Sequence, residues 1–287
     1  MNREILVRSK FGITESQRIG QAQSWLLAPA QARGVAAVNN LQATTQRSVV
    51  LQSISMSSDT RGGVVNASGL RVAGLSLNCG NNSIPIDVFA PVAGGSTSSQ
   101  RTIGVALAQQ QTVEVSTTMT GASNFSYCIG VQPIPTSMVP STEGQADFFN
   151  YVVGLGQTGV IAAGANGQST TTVLRGCWLG EVVFVDMLGG AGAPLTDIVL
   201  TDLTINGLSM LAGAANQQIT LDQLTEAQSN TQDFILNTWV DANSTIVVSY
   251  SNLNGAAATG DIGAAIFCKP YKKPIGSGYK PIVDARY

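Results

Sequence analysis

Gln111-Thr112-Val113-Glu114-Val115-Ser116 and Ser244-Thr245-Ile246-Val247-Val248-Ser249 carry apolar residues at matching positions, 133 residues apart. Alternation with period two is the mark of a strand that buries one face. Two shorter matches lie upstream. Leu75-Ser76-Leu77-Asn78 pairs with Leu203-Thr204-Ile205-Asn206 at an offset of 128, and Arg47-Ser48-Val49-Val50-Leu51 with Thr171-Thr172-Val173-Leu174-Arg175 at 124. The offset rises slowly, as it does when strands are kept and loops gain residues. The pattern predicts one β-rich unit written twice, over residues 45–137 and 170–268.

Within each copy the strand signals continue. Val49-Leu51, Ile84-Ile86-Val88, Val182-Val185, Ile198-Leu200, Ile219-Leu221 and Phe234-Leu236 are apolar runs or alternations, and Gly62-Gly63, Gly94-Gly95, Asn206-Gly207 and Asn254-Gly255 sit between strands as turns. Leu221 to Gln228 reads as a short helix. The fold class expected is all-β, two eight-stranded jelly-roll sandwiches in tandem with a partly helical N-terminal arm and an extended C-terminal strap. Residues 1–43 are the arm. Its helix is opened by the capping-box spacing of Thr14 and Gln17, striped by Ile19, Ala22, Trp25 and Leu26, and ended near Pro29. Residues 44–137 form the first sandwich, 138–168 a Gly/Pro-rich linker, 169–268 the second sandwich, and 269–287 a basic strap holding Pro270, Pro274 and Pro281.

Charge divides the chain in the same way. Only 11% of the 287 residues are charged, against the quarter or so usual in globular proteins. Residues 44–268 hold five Arg, fourteen acids and no Lys, whereas residues 1–43 and 269–287 carry net charges of +3 and +4. A sparsely charged body has little repulsion to keep copies apart, which suits a surface buried in an assembly. Two basic ends point to an anionic partner, a nucleic acid or a membrane surface.

The chain contains no histidine, which removes Ser-His and Cys-His nucleophile pairs and imidazole metal ligands. A Ser-Lys dyad has no lysine in the body to use. Cys79, Cys128, Cys177 and Cys268 lack metal-ligand spacing and read as buried free thiols. Asp186, Asp197 and Asp202 are the candidate calcium ligands, against the plainer reading of acids near turns. Gly154-Leu155-Gly156-Gln157-Thr158-Gly159 matches G-x-G-x-x-G. A dinucleotide site, however, needs a helix after the third glycine, and Val160-Ala163 runs straight into Gly164-Ala165-Asn166-Gly167. No catalytic, cofactor or metal residue is therefore assigned, and an enzyme is not expected. Nothing behind Met1-Asn2-Arg3-Glu4 resembles a signal peptide, so secretion by that route is not expected. No apolar run reaches the ~18 residues of a membrane-spanning helix.

A doubled jelly-roll body, a helical arm, sparse catalytic equipment and a neutral surface together resemble the double jelly-roll major capsid proteins of tailless icosahedral phages and adenovirus-like viruses. The resemblance implies a structural virion protein, made in the host cytoplasm, that assembles as pseudo-hexameric trimers into an icosahedral shell. Its implied partners are copies of itself, neighbouring capsomers and other virion proteins, with no small-molecule substrate. It also implies interior contacts with genome or internal membrane, carried here by Arg3, Arg8, Lys10, Arg18, Lys272 and Lys273. The competing readings are another virion component (spike, penton or fibre) and a two-sandwich carbohydrate-binding or adhesin module.

Overall fold

The computed structural model describes residues 25–29, 32–35, 38–89, 101–120, 123–139, 151–188, 192–211, 219–224, 234–255 and 258–269. Strands dominate them. The first half supplies β1 (Trp25–Leu27), β2 (Ala32–Val35), β3 (Val38–Thr44), β4 (Val49–Ser58), β5 (Val64–Val72), β6 (Leu75–Ser76), β7 (Ile84–Pro85), β8 (Arg101–Leu107), β9 (Thr112–Thr118) and β10 (Ser123–Pro133). The second supplies β11 (Val152–Gln157), β12 (Asn166–Thr172), β13 (Cys177–Asp186), β14 (Ile198–Ile205), β15 (Leu208–Ser209), β16 (Ile219–Thr220), β17 (Phe234–Val240), β18 (Thr245–Asn252) and β19 (Ile262–Lys269).

In the first half one sheet runs β1-β10-β4-β8, with β2 also on β10, and the other runs β3-β9-β5-β6, with β7 on β5. In the second half the sheets run β11-β19-β13-β17 and β12-β18-β14-β15, with β16 on β14. β2 apart, the two orders are the same strand for strand. Each is the double Greek key of a jelly roll, with consecutive long strands placed in opposite sheets. The inward residues alternate as the sequence pattern requires: Val113, Val115 and Thr117 on β9 and Ile246, Val248 and Tyr250 on β18 are all fully buried. Each such aliphatic side chain contributes about 1.5–3 kcal/mol by leaving water. Tyr127 on β10 spans the first sandwich, its hydroxyl donating to Val113 O at 2.8 Å. Phe184 meets Tyr250 edge-on in the second.

The likeness of the halves extends to register. Val72 faces Val113 and Ile205 faces Ile246, both members shifted by 133. The hairpin turns that follow are Ala73-Gly74 (φ 49° and 81°) and Asn206-Gly207 (φ 52° and 80°), the left-handed pair of a type I′ turn. One extra residue, Gln52 or Gly180, bulges at the same place in β4 against β10 and in β13 against β19. The two copies differ most in two connections. Residues 187–197 and 253–261 of the second copy replace the shorter 59–63 and 119–122 of the first. The longer pair bond to each other, Ala193 N to Thr259 O at 2.8 Å and Leu253 N to Asp197 O at 2.8 Å.

Several expectations change. The offset is 128 at β3/β12 and β4/β13, so Val49–Leu51 corresponds to Cys177–Leu179 and not to Val173–Arg175. Leu203–Ile205 corresponds to Leu70–Val72, since Leu75–Asn78 lies beyond the turn. The expected arm of residues 1–43 carries β1, β2 and nearly all of β3; the helix over Thr14–Ala28 falls mostly outside the described residues, and its end, Trp25–Leu27, is a strand on β10. Pairing to a sheet overrides the Gln/Ala-rich helical preference there. The expected linker of 138–168 contains β11 and the start of β12. Beyond Lys269 the strap lies outside the described residues. Leu221–Gln223 forms one short 3₁₀ turn, and the rest of the expected helix, from 225 to Gln228, lies outside the described residues.

Candidate functional site: the seam between the sandwiches

The residues expected to meet genome or membrane, Arg3, Arg8, Lys10, Arg18, Lys272 and Lys273, all lie outside the described residues. What the structure builds in their place is a seam. The segment Leu77–Ser83, between β6 and β7, leaves the first sandwich and runs along the edge strands β11 and β12 of the second. Val152 N donates to Leu77 O at 2.9 Å, Cys79 N to Val152 O at 2.7 Å, Leu174 N to Cys79 O at 2.6 Å and Gly156 N to Ser83 O at 3.1 Å. The open edge of β11 is thereby completed by backbone from the other sandwich.

Asn78 is the hub of this seam. Its side chain is buried and fully used: Nδ2 donates to Ala67 O (2.9 Å) and Asn82 O (2.7 Å), while Oδ1 accepts from Gly80 N (2.9 Å) and Gly154 N (3.0 Å). Asn82 Nδ2 reaches Leu155 O at 3.1 Å and Thr170 O at 2.7 Å, and Asn81 Oδ1 accepts from Thr171 Oγ1 and Thr172 N. A Cβ on Gly154 would stand 2.5 Å from Ser83 O, so only glycine admits the segment there. This is what the first glycine of Gly154–Gly159 does: the motif is a bulged strand edge with no helix behind it. Phe89 and Phe267 stack edge-on across the seam at 5.7 Å, and the two cores are continuous.

Three thiols meet near the seam. Cys177 Sγ and Cys268 Sγ are 3.5 Å apart, Cys79 comes in from the first sandwich, and all three are buried. Hydrogen bonds from Cys268 and Cys79 pull the Cys177 thiol down to about 5 against its burial. Cys79 is pushed up by its bond to Cys177 and by burial, and Cys268 by burial first and then by Cys177. Cys128, on β10, is half-buried and stands apart from the fully buried trio.

Carboxylates gather at the seam as well. Asp87 of the first sandwich has its pKa raised by burial, with Arg61 opposing and Asp186 of the second adding repulsion. Asp261 is likewise raised by burial, against bonds from Thr158 and the Gly159 backbone, with Asp186 again repelling. Arg61 reaches the Asp186 backbone carbonyl at 3.5 Å, so one guanidinium offsets the Asp87 charge in the first half and bonds the backbone of the second. Of the calcium candidates, Asp186 caps Leu188 N, Asp197 holds Asn254 Nδ2 at 2.6 Å and Asp202 holds Ser209 Oγ at 2.6 Å. Asp186 and Asp202 are committed to their own turns, and Asp197 to the contact between the two long connections. Among the described residues no group of three or more acids, cysteines or histidines is arranged to hold a metal ion.

No protein-family model matches the chain, and no curated protein matches it. Among solved structures it is similar to the major capsid protein P2 from bacteriophage PM2, at 9% identity and TM-score 0.32 over 86% of this chain and 98% of that one. It is also similar to N-glycanase F, at 11% identity and TM-score 0.33 over 88% and 97% of the two chains. Allantoicase aligns at 8% identity and TM-score 0.24, over 87% and 81%.

Proposed function

We propose that this chain is a structural virion protein, the major capsid subunit of a tailless icosahedral bacteriophage, assembling as trimers of near-hexagonal outline. The observation that carries the reading is the duplication itself. Two jelly rolls of one strand order and one register are fixed side by side by a hydrogen-bonded seam. Three copies of such a pair offer six similar edges, which is what tiling a closed shell requires of one gene product. The sparse charge of the body supports the same reading, because close-packed subunits tolerate few unpaired charges.

The basic ends then meet the anionic interior, with Arg3, Arg8, Lys10, Arg18, Lys272 and Lys273 against genome or lipid. Purified protein should sediment as a trimer or larger assembly, and a clean monomer at micromolar concentration would sink the reading. Neutralising Lys272 and Lys273 should lessen the salt dependence of binding to nucleic acid or to anionic vesicles. If neither probe responds to salt, the strap has another role.

A further inference from the structure

The seam joins a donor, the segment after β6, to an acceptor, the outer edge of β11. Register places each in the other copy. Leu26 on β1 holds the place of Val152 on β11, since both face the equivalent residues Gly130 and Phe267. Met210 and Leu211 hold the places of Leu77 and Asn78, because Met210 N bonds Leu203 O as Leu77 N bonds Leu70 O. The backbone keeps its shape at both: Ser76 Oγ accepts from Asn78 N at 3.3 Å and Ser209 Oγ from Leu211 N at 3.2 Å. Yet Val152 is 4% exposed and Leu26 is 76% exposed. On the donor side Leu77 is 1% exposed and its counterpart Met210 is half-buried against the core, while Leu208, the counterpart of half-buried Leu75, is 68% exposed. Among the described residues, the β1 edge at the start of the chain and the β15 strand late in it each leave a leucine uncovered.

We propose that these two surfaces mate between copies: Leu208–Leu211 of one chain lies along the β1 edge of a second copy at Leu26, repeating between chains the contact that the seam makes within one. The inference rests on the capsid reading for the number of copies, and it names the contact that joins them. Leu26 N donates to Met210 O of the next copy, as Val152 N does to Leu77 O. The two leucines leave water together, and backbone pairing on an open edge supplies direction. Because donor and acceptor are different patches, the contact is head-to-tail, and it closes into a ring when the rotation between copies allows. The mating is plainer than the seam. Leu211 replaces the hub Asn78, and Ala28 replaces Gly154, so the backbone passes less closely.

The test uses the full chain. Leu26→Asp and Leu208→Asp, made separately, should each weaken self-association about 30-fold or more, as loss of a central apolar anchor does. Leu253→Asp, at an exposed leucine outside both patches, should leave association unchanged, with circular dichroism reporting the fold of every variant. In a second arm, Leu26→Cys with Leu211→Cys should give a disulfide between chains on mild oxidation, located by peptide mapping. An oligomer indifferent to both aspartates and free of the 26–211 cross-link would overturn the contact while leaving the capsid reading intact. A monomeric wild type would overturn both. A cross-link confined to one chain would assign the β1 edge to the chain's own segments and overturn the proposal.

Discussion

Asp87 is half-buried at the seam, and its Oδ2 has no hydrogen-bond partner. Burial raises its pKa above the ordinary 3.8, so the folded state holds the proton more tightly than the unfolded chain does. The stability it contributes is therefore greatest below pH 3.8 and is lost as pH climbs through that value toward the raised one. Asp87→Asn should raise the urea midpoint at pH 7 and flatten its decline above pH 3.8, measured as midpoint against pH. An unchanged pH profile would mean that Arg61 already compensates the charge. None of this was legible in the sequence, where Asp87 was one acid among fourteen. The three meeting thiols were hidden for the same reason. Cys177 and Cys268 take the places of Val49 and Val131 in the first copy, so they read as ordinary core.

At the level of elements, the alternating strands declared themselves. Val113-Glu114-Val115 and Ile246-Val247-Val248 are the central strands of their sheets, where one-sided burial is strictest. β11 did not, because Val152-Val153-Gly154-Leu155-Gly156 is buried on both faces and its glycines imitate a linker. The seam was equally silent: it is made of backbone bonds and of the side chains of Asn78, Asn81 and Asn82, of which only Asn78, a polar residue between Leu77 and Cys79, stood out from an ordinary turn. The register error at Leu75 had a physical source too, since similar letters recur on both sides of a tight hairpin. That hairpin supports a prediction. Ala73 adopts φ 49° where its counterpart is Asn206. Asparagine tolerates the left-handed region better than alanine does, so Ala73→Asn should stabilise the fold by about 0.5–1 kcal/mol. A urea titration that shows a loss would indicate that the Ala73 methyl packs usefully against the core.

For the whole molecule, the seam makes two sandwiches one cooperative unit. Residues 151–269 expressed alone would lose Leu77–Ser83 and Phe89, leaving Val152 and Gly156 with unpaired N–H groups and Phe267 uncovered. Each unmade buried bond costs about 1–3 kcal/mol, enough together to remove most of a domain's stability. Calorimetry of the full chain should show one transition, and the fragment should fail to give a native-like one. Two well-separated transitions in the full chain would contradict this. The longer connections 187–197 and 253–261 bear on the history of the molecule. They emerge at one end and bond to each other, while the β5–β6 and β14–β15 hairpins keep a single spacing. The difference in length between the two copies is thus concentrated at one pole. Further insertions there would lengthen loops without shifting a strand, so that pole is where related proteins can diverge in sequence while keeping the same two sandwiches.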